Sequence, residues 1–395
     1  MLEILSGITV LDLSRVLAGP YAAMLMADLG AEVIKVENPA GGDEARGFGP
    51  FVNGVSGYFV SVNRGKKGIT LDLKHPRGRE VFLDLVSKAD VLVENFRTGA
   101  MERLGIGHET LSEINPRLIY LSLSGFGRTG PRAPDPAYDM IIQGMSGIMS
   151  VTGQPGGHPV RVGTSIGDLS AALFGVIGVV LTLYRRERTG KGGFVDIAML
   201  DSLFCLLENA VMRANVEGTP PGPLGTRHST IAPFDVYPTA DGAIVLCAGN
   251  DALWGRFADA AGRPDLKSDG RFSTNRLRCE HIEELTRVIG GILSEKTTDE
   301  WFSVLNAADV PAGPLNNVAQ AMRDPQIAAR GMLSEIIQPG AGAFSVAGSP
   351  VRIDGDSPQP PRPAPALGEH TEEVLREMLG MGEGEIEELR KEGAI

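Results

Sequence analysis

The first 124 residues alternate short apolar runs with helix-like stretches, and that alternation leaves few folds open. Ile8–Leu13 (ITVLDL) reads as a strand, Ser14–Pro20 as a loop, and Tyr21–Leu29 as a short helix stopped by Gly30. Glu32–Val36 is a second strand. The helical stretch 76–89 feeds strand 90–96 (DVLVENF), and a further helical stretch feeds strand 118–124 (LIYLSLS). Strands separated by helices make βαβ units with right-handed crossovers, hence a parallel sheet. The expected fold class is α/β, with a Rossmann-like doubly wound parallel sheet. Ligands of such sheets bind in loops beyond the carboxyl ends of the strands, here Ser14–Pro20, Glu94–Arg97 and Ser124–Asp139. None contains G-x-G-x-x-G. The first loop, SRVLAGP, has one glycine where a dinucleotide fingerprint needs two or three, which argues against a nicotinamide enzyme.

Beyond this alternation the pattern predicts a large domain over 1–216 and a smaller α/β domain over 226–330. The latter holds strands FDVYP and AIVLCAG and helices DALWGRFADAAG and HIEELTRVIGGILSEK. Two stretches rich in Pro and Gly, 217–225 and 355–366, read as linkers.

Residues 161–201 (RVGTSIGDLSAALFGVIGVVLTLYRRERTGKGGFVDIAMLD) place one carboxylate, Asp168, between Gly167 and a long apolar run. An Asp there is first of all a helix N-cap. The run Leu169–Tyr184 is apolar almost all round, which predicts a buried helix. A carboxylate at the mouth of a buried helix is rigid and partly desolvated, as suits a nucleophile or general base. Residue pattern alone leaves both readings open.

The net charge of −12, with no Lys- or Arg-rich block, argues against nucleic acid as a partner. Cys205, Cys247 and Cys279 are widely spaced and read as buried reduced thiols rather than metal ligands. His75, His108, His158, His281 and His370 show no metal-ligand spacing, so no metal site is expected. The N-terminus lacks a signal-peptide pattern, and the 169–184 run is shorter than the ~20 residues of a spanning helix. A cytoplasmic enzyme without membrane contact is expected.

Several blocks, in order and spacing, resemble the class III CoA-transferases (the formyl-CoA transferase and carnitine CoA-transferase group, or CaiB/BaiF family). These are LSGITVLDLSRVLAGPYAAMLMADLGAEVIKVENPAGGDEAR, then G-D-x-x-A before the apolar helix, RRERTGKG, FVDIAMLDS and LGEHTEEVL. The resemblance implies acyl-CoA:carboxylate CoA transfer, with coenzyme A as substrate and no tightly bound cofactor. It implies that 335–395 return to complete the large domain, an interlocked homodimer, and Asp168 as the nucleophile that carries the acyl group. Gly167 would leave room for substrate to approach. Val16, Leu17 and Ala18 would present backbone groups to CoA. Asn95, Phe96 and Arg97, and Ala137, Tyr138 and Asp139, would lie along it. Leu71 and Lys74 would line its adenine and phosphate end, and Arg103 would add a cation.

Asn38 stands where the formyl-CoA branch carries arginine, and Arg46 is a substitute for it. Arg227 and His228, in a loop without a glycine run, would hold the far carboxylate of a dicarboxylic acid. A racemase branch shares the blocks but pairs its Asp with a histidine. Here that position is Tyr138, a poor proton shuttle at neutral pH. Racemisation or epimerisation is the alternative, and a CoA-binding protein without catalysis is another.

Overall fold

The computed structural model describes residues 3–356 and 362–395. The chain divides into two compact units, one of Met1–Met149, Arg161–Val216 and Pro325–Ile395, the other of Ser150–Val160 and Glu217–Asp324. Ser150–Val160 thus leaves the large domain expected over 1–216, and the C-terminal return begins at Pro325. The expected linker 217–225 falls in the small unit, where the Gly225 N–H donates to the Gly153 carbonyl at 2.8 Å. The other expected linker, 355–366, lies partly outside the described residues.

The large unit is built on six parallel strands: β1 (Thr9–Asp12), β2 (Glu32–Glu37), β3 (Lys67–Thr70), β4 (Val91–Glu94), β5 (Ile119–Ser124) and β6 (Gly193–Ala198). Their order is β3-β2-β1-β4-β5-β6, that of a doubly wound sheet. The sequence reading has no counterpart of β3, since KGIT offers neither alternation nor a run of branched residues. It is an edge strand, and the C-terminal segment covers it. The Gly68 N–H donates to His370 Nδ1 at 3.1 Å and the Thr70 N–H to Thr371 Oγ1 at 3.0 Å. Covering an edge in this way keeps its unpaired amides from seeking another strand.

Helices bury both faces of the sheet. On one, α3 (Pro76–Lys88) shares a core with Val374, Leu375, Ile386 and Leu389 of the C-terminal helices. On the other lie α1 (Ala18–Asp28), α4 (Asp139–Ser146), α5 (Ile166–Thr189) and α6 (Met199–Cys205). A short α2 (Gly57–Asn63) precedes β3. Helix α1 starts inside the loop expected over Ser14–Pro20. Gly19 and Pro20 occupy its first turn, where a proline is tolerated because that N–H has no partner in the helix.

Helix α5 differs from expectation in two respects. It runs 24 residues, long and apolar enough by composition to cross a membrane, and no other helix among the described residues is. It is also not buried all round. Gly167, Ala171, Ala172, Gly175 and Val179 face the unit's interior, as in a core helix, while Leu173, Ile177, Leu181 and Tyr184 are more than half exposed. The apolar outer stripe, not burial on every side, is why no polar face shows in the sequence.

The small unit carries a three-stranded antiparallel sheet of Phe234–Pro238, Ala243–Cys247 and Ala312–Pro314. Its core gathers Trp254, Phe257, Phe272 and Trp301. Arg278 is fully buried there and donates to the carbonyls of Ala232, Phe272 and Gly249 and to Asp251. The three cysteines are free, but Cys205 is exposed and Cys247 and Cys279 half-buried, unlike the buried thiols expected.

Candidate active site

Strands β1 and β4 are neighbours whose following connections leave in opposite directions, β1 toward β2 and β4 toward β5. A crevice opens at such a point beyond the carboxyl ends of the strands. The two loops that border it are tied together. The Arg15 N–H donates to Asn95 Oδ1 at 2.8 Å, and Asn95 Nδ2 returns a bond to the Arg15 carbonyl at 2.7 Å. The Arg15 guanidinium lies over the Phe96 ring, 5.0 Å from its centroid.

Two buried ion pairs hold the first loop from below. Lys66 Nζ is 2.7 Å from Asp12 and donates to the Pro20 carbonyl at 2.9 Å. Asp12 accepts from both the backbone N–H and the hydroxyl of Ser14. Lys35 Nζ is 3.0 Å from Asp43 and donates to the Ser14 carbonyl at 2.8 Å. Burial brings the Lys66 ammonium down to about 8 against the raising effect of Asp12. The turn is tight: a Cβ on Gly19 would lie 2.1 Å from Ser14 Cβ, so only glycine fits.

Asp168 is the third residue of α5, after Ile166 and Gly167. It does not cap its own helix. The Gly167 N–H, left without a partner in the first turn, is taken by Asp139 Oδ1 at 2.8 Å. Asp139 Oδ2 accepts from Gln143 Nε2 at 2.7 Å, and Gln143 Oε1 accepts the Val162 N–H at 2.8 Å. The capping role read for Asp168 thus falls to another carboxylate, and Asp168 lines a cavity instead. A Cβ on Gly167 would come within 2.9 Å of Asp139 Oδ1, so any larger residue would push the cap away.

Burial, then the neighbouring charge of Asp139, push the Asp168 carboxyl up to about 7, and the Ala18 N–H, donating to it, works the other way. A carboxylate of near-neutral pKa is more basic, and so more nucleophilic, than an ordinary one, and about half of it is still ionised at pH 7. Tyr58 belongs to the same group, and the sequence reading did not single it out. Burial, then the charges of Asp168, Asp43 and Asp139, push its phenol up to about 12, so it stays a protonated donor. Its sequence context, GYFVSVN, carries no chemical signal. Only the fold brings α2 to the carboxylates.

The cavity at Asp168 measures about 260 Å³. Its lining takes Val16, Leu17 and Ala18 from the first loop, Asn95, Phe96 and Arg97 from the second, and Ala137 and Tyr138 from the third. Asp139 is buried beneath it, whereas Tyr138 is 72% exposed rather than packed. A second cavity of about 470 Å³ takes Asn38, Leu71 and Lys74, and shares Arg15 and Phe96 with the first. Arg46 forks onto Glu37 at 2.8 and 2.6 Å and does not line this cavity. Arg103 is exposed and lines neither cavity. Arg227 and His228 lie in the small unit, where the His228 ring packs 5.3 Å from Phe234 and its Nδ1 accepts the Thr230 N–H at 3.2 Å. No three His, Cys, Asp or Glu side chains among the described residues gather as metal ligands.

Comparison with known proteins points one way. The family model described as CoA-transferase family III matches residues 5–371. An acetyl-CoA:oxalate CoA-transferase of Acetobacter aceti is 46% identical over 94% of this chain and 95% of its own length. A succinyl-CoA:glutarate CoA-transferase of Mus musculus is 38% identical over 99% of this chain and 90% of its own. Among solved structures, a CaiB/BaiF family protein from Brucella suis superposes with a TM-score of 0.84 at 38% identity, covering 95% of this chain and 99% of that one.

Proposed function

The chain belongs to CoA-transferase family III, and we propose that it moves coenzyme A between a short acyl-CoA and a dicarboxylic acid through covalent intermediates on Asp168. The observation that carries this reading is a single carboxylate, raised to about 7, at the wall of the switch-point cavity. Asp168 attacks the thioester carbonyl, expelling CoA thiolate and leaving a mixed anhydride. The thiolate attacks the Asp168 carbonyl of that anhydride and releases the donor acid, which gives an aspartyl-CoA thioester. The acceptor carboxylate attacks the thioester and expels thiolate again. The thiolate then takes the acceptor acyl group and regenerates the Asp168 carboxylate. One difficult exchange becomes four steps of similar type.

The Ala18 N–H, as a donor to Asp168, supports the developing negative charge at that carboxyl. CoA enters and leaves as substrate and is not a resident group. Its pantetheine arm lies along Val16–Ala18, Asn95–Arg97 and Ala137–Tyr138, and its adenosine end takes the larger cavity with Arg15 and Lys74 at the phosphates. Transfer is favoured over racemisation because α-proton exchange needs a second acid/base of suitable pKa. No histidine lines the Asp168 cavity, and Tyr58 holds its proton to about 12.

The dicarboxylate class rests on the relatives, which are named for transfer to oxalate and glutarate. The apolar outer stripe of α5, with Leu173, Ile177, Leu181 and Tyr184, supports a homodimer that covers it. The experiment for the substrate class crosses acyl-CoA donors with mono- and dicarboxylic acceptors and reads the CoA products by mass. Transfer to monocarboxylates alone would refute the dicarboxylate assignment.

A further inference from the structure

We propose that Asp43, held by Lys35, is a positioning residue: it locks Val16 in the left-handed backbone conformation that aims the start of α1 at Asp168. This inference rests on Asp168 being the reacting group.

Val16 has φ +67°, a region that a β-branched residue enters only when its surroundings force it. The force is visible. The Val16 N–H points down at the Asp43 carboxylate, 3.1 Å from Oδ1 and 3.3 Å from Oδ2. Asp43 has a second tie at each end of that carboxylate: Oδ1 accepts the Ala45 N–H at 2.9 Å, and Oδ2 meets Lys35 Nζ at 3.0 Å. The Asp43 N–H is itself fixed to Glu37 Oε2 at 2.8 Å. Both side chains of the Lys35–Asp43 pair are fully buried. The Lys35 ammonium also holds the carbonyl of Ser14, two residues before Val16.

The consequence lies two residues further on. With Val16 left-handed the chain reverses sharply into α1, whose first residue is Ala18, and Ala18 and Asp168 line the same cavity, with the Ala18 N–H acting on the Asp168 carboxyl. In an ordinary conformation at Val16, the same amide would point elsewhere. Arg15 is fixed independently by Asn95, so that part of the surface that meets CoA does not depend on this clamp, whereas Val16 and Asp43 themselves line the two cavities. Loss of the clamp therefore falls on the chemical step more than on acyl-CoA binding.

The test is a double-mutant cycle. Lys35→Met with Asp43→Ala removes the clamp without stranding a buried cation, and Val16→Gly supplies a residue that takes positive φ freely. In the Val16 background, clamp removal should lower kcat by about 10- to 100-fold, as small misplacements of catalytic groups do, with acyl-CoA KM changed by a smaller factor than kcat. In the Val16→Gly background, the same removal should lower kcat by less than about threefold. An equal loss in both backgrounds, or no loss in the first, overturns the proposal.

A measurement on the unaltered protein guards against a variant that fails to fold. The Val16 amide should exchange with deuterium as slowly as the core amides of α1, and exchange at the rate of an exposed loop overturns the proposal. Asp168→Ala separates the two readings. If it keeps full turnover, the nucleophile assignment fails. If it is inactive while the clamp-less enzyme keeps wild-type kcat, only the positioning role fails.

Discussion

The Asp139 carboxylate caps the helix that carries Asp168, taking the Gly167 N–H at 2.8 Å, and its charge raises the Asp168 carboxyl. One residue therefore fixes the position of Asp168 and tunes its acidity. The two functions can be separated by substitution.

Asp139→Asn keeps an oxygen for Gly167 but removes the charge. The Asp168 carboxyl should then titrate below about 7, because the like charge that raises it is gone. If Asp168 is the nucleophile, the acid limb of kcat/KM should move to lower pH. A limb that stays in place would show that burial alone sets it. The amide also confronts Gln143 Nε2 with a second donor, which should lower stability by about 1–2 kcal/mol.

The raised carboxyl of Asp168 has a thermodynamic counterpart. Its folded pKa of about 7 lies above the ordinary 3.8, so the folded state favours the protonated form. The associated stability is fully present below the unfolded value and is lost as pH rises through about 7. Asp168→Asn is neutral throughout. It should melt above wild type at pH 8, by at most about 4 kcal/mol of stability, and the gap should close as pH falls toward 4. Equal melting temperatures at pH 8 would contradict the buried, like-charged setting.

How much of this was legible in the sequence differs from residue to residue. The alternation of strands and helices announces the parallel sheet, since a period of two and a period of 3.6 leave marks in any chain. Asp168 stands out because Gly precedes it and an apolar run follows. Three other features do not. The edge strand β3 is too short and too mixed to show a period. Tyr58 looks like any core tyrosine until α2 is folded against the carboxylates. The left-handed Val16 has no local signal, because a valine predicts the opposite and only the tertiary bond to Asp43 overrides it.

Tyr58→Phe removes a phenol that stays protonated in the field of Asp168. If the hydroxyl serves the reaction, kcat should fall by about tenfold, or ~1.4 kcal/mol of barrier, with acyl-CoA KM little changed. Unchanged kcat would reduce Tyr58 to its edge-on packing with Phe48, 5.7 Å away.

Arg278→Met tests the small unit. The guanidinium satisfies three buried carbonyls, at 2.7 Å for Ala232, 2.9 Å for Phe272 and 2.8 Å for Gly249. Leaving them without a donor should destabilise the unit by about 3–5 kcal/mol. Hydrogen exchange in the whole protein should rise across 230–310 while the strands of the large sheet stay protected. Uniform protection would show that other donors replace Arg278.

Covalent trapping tests the central claim most directly. The anhydride and the aspartyl thioester both turn the Asp168 carboxylate into an electrophilic carbonyl. The protein, incubated with acyl-CoA and then hydroxylamine, should carry a hydroxamate at Asp168, found by peptide mass in the segment GTSIGDLSAALF. Free CoA in place of acyl-CoA should leave the segment unmodified, because it brings no activated acyl group. Modification at Asp139 in place of Asp168, or none with any donor that the enzyme turns over, would contradict the account.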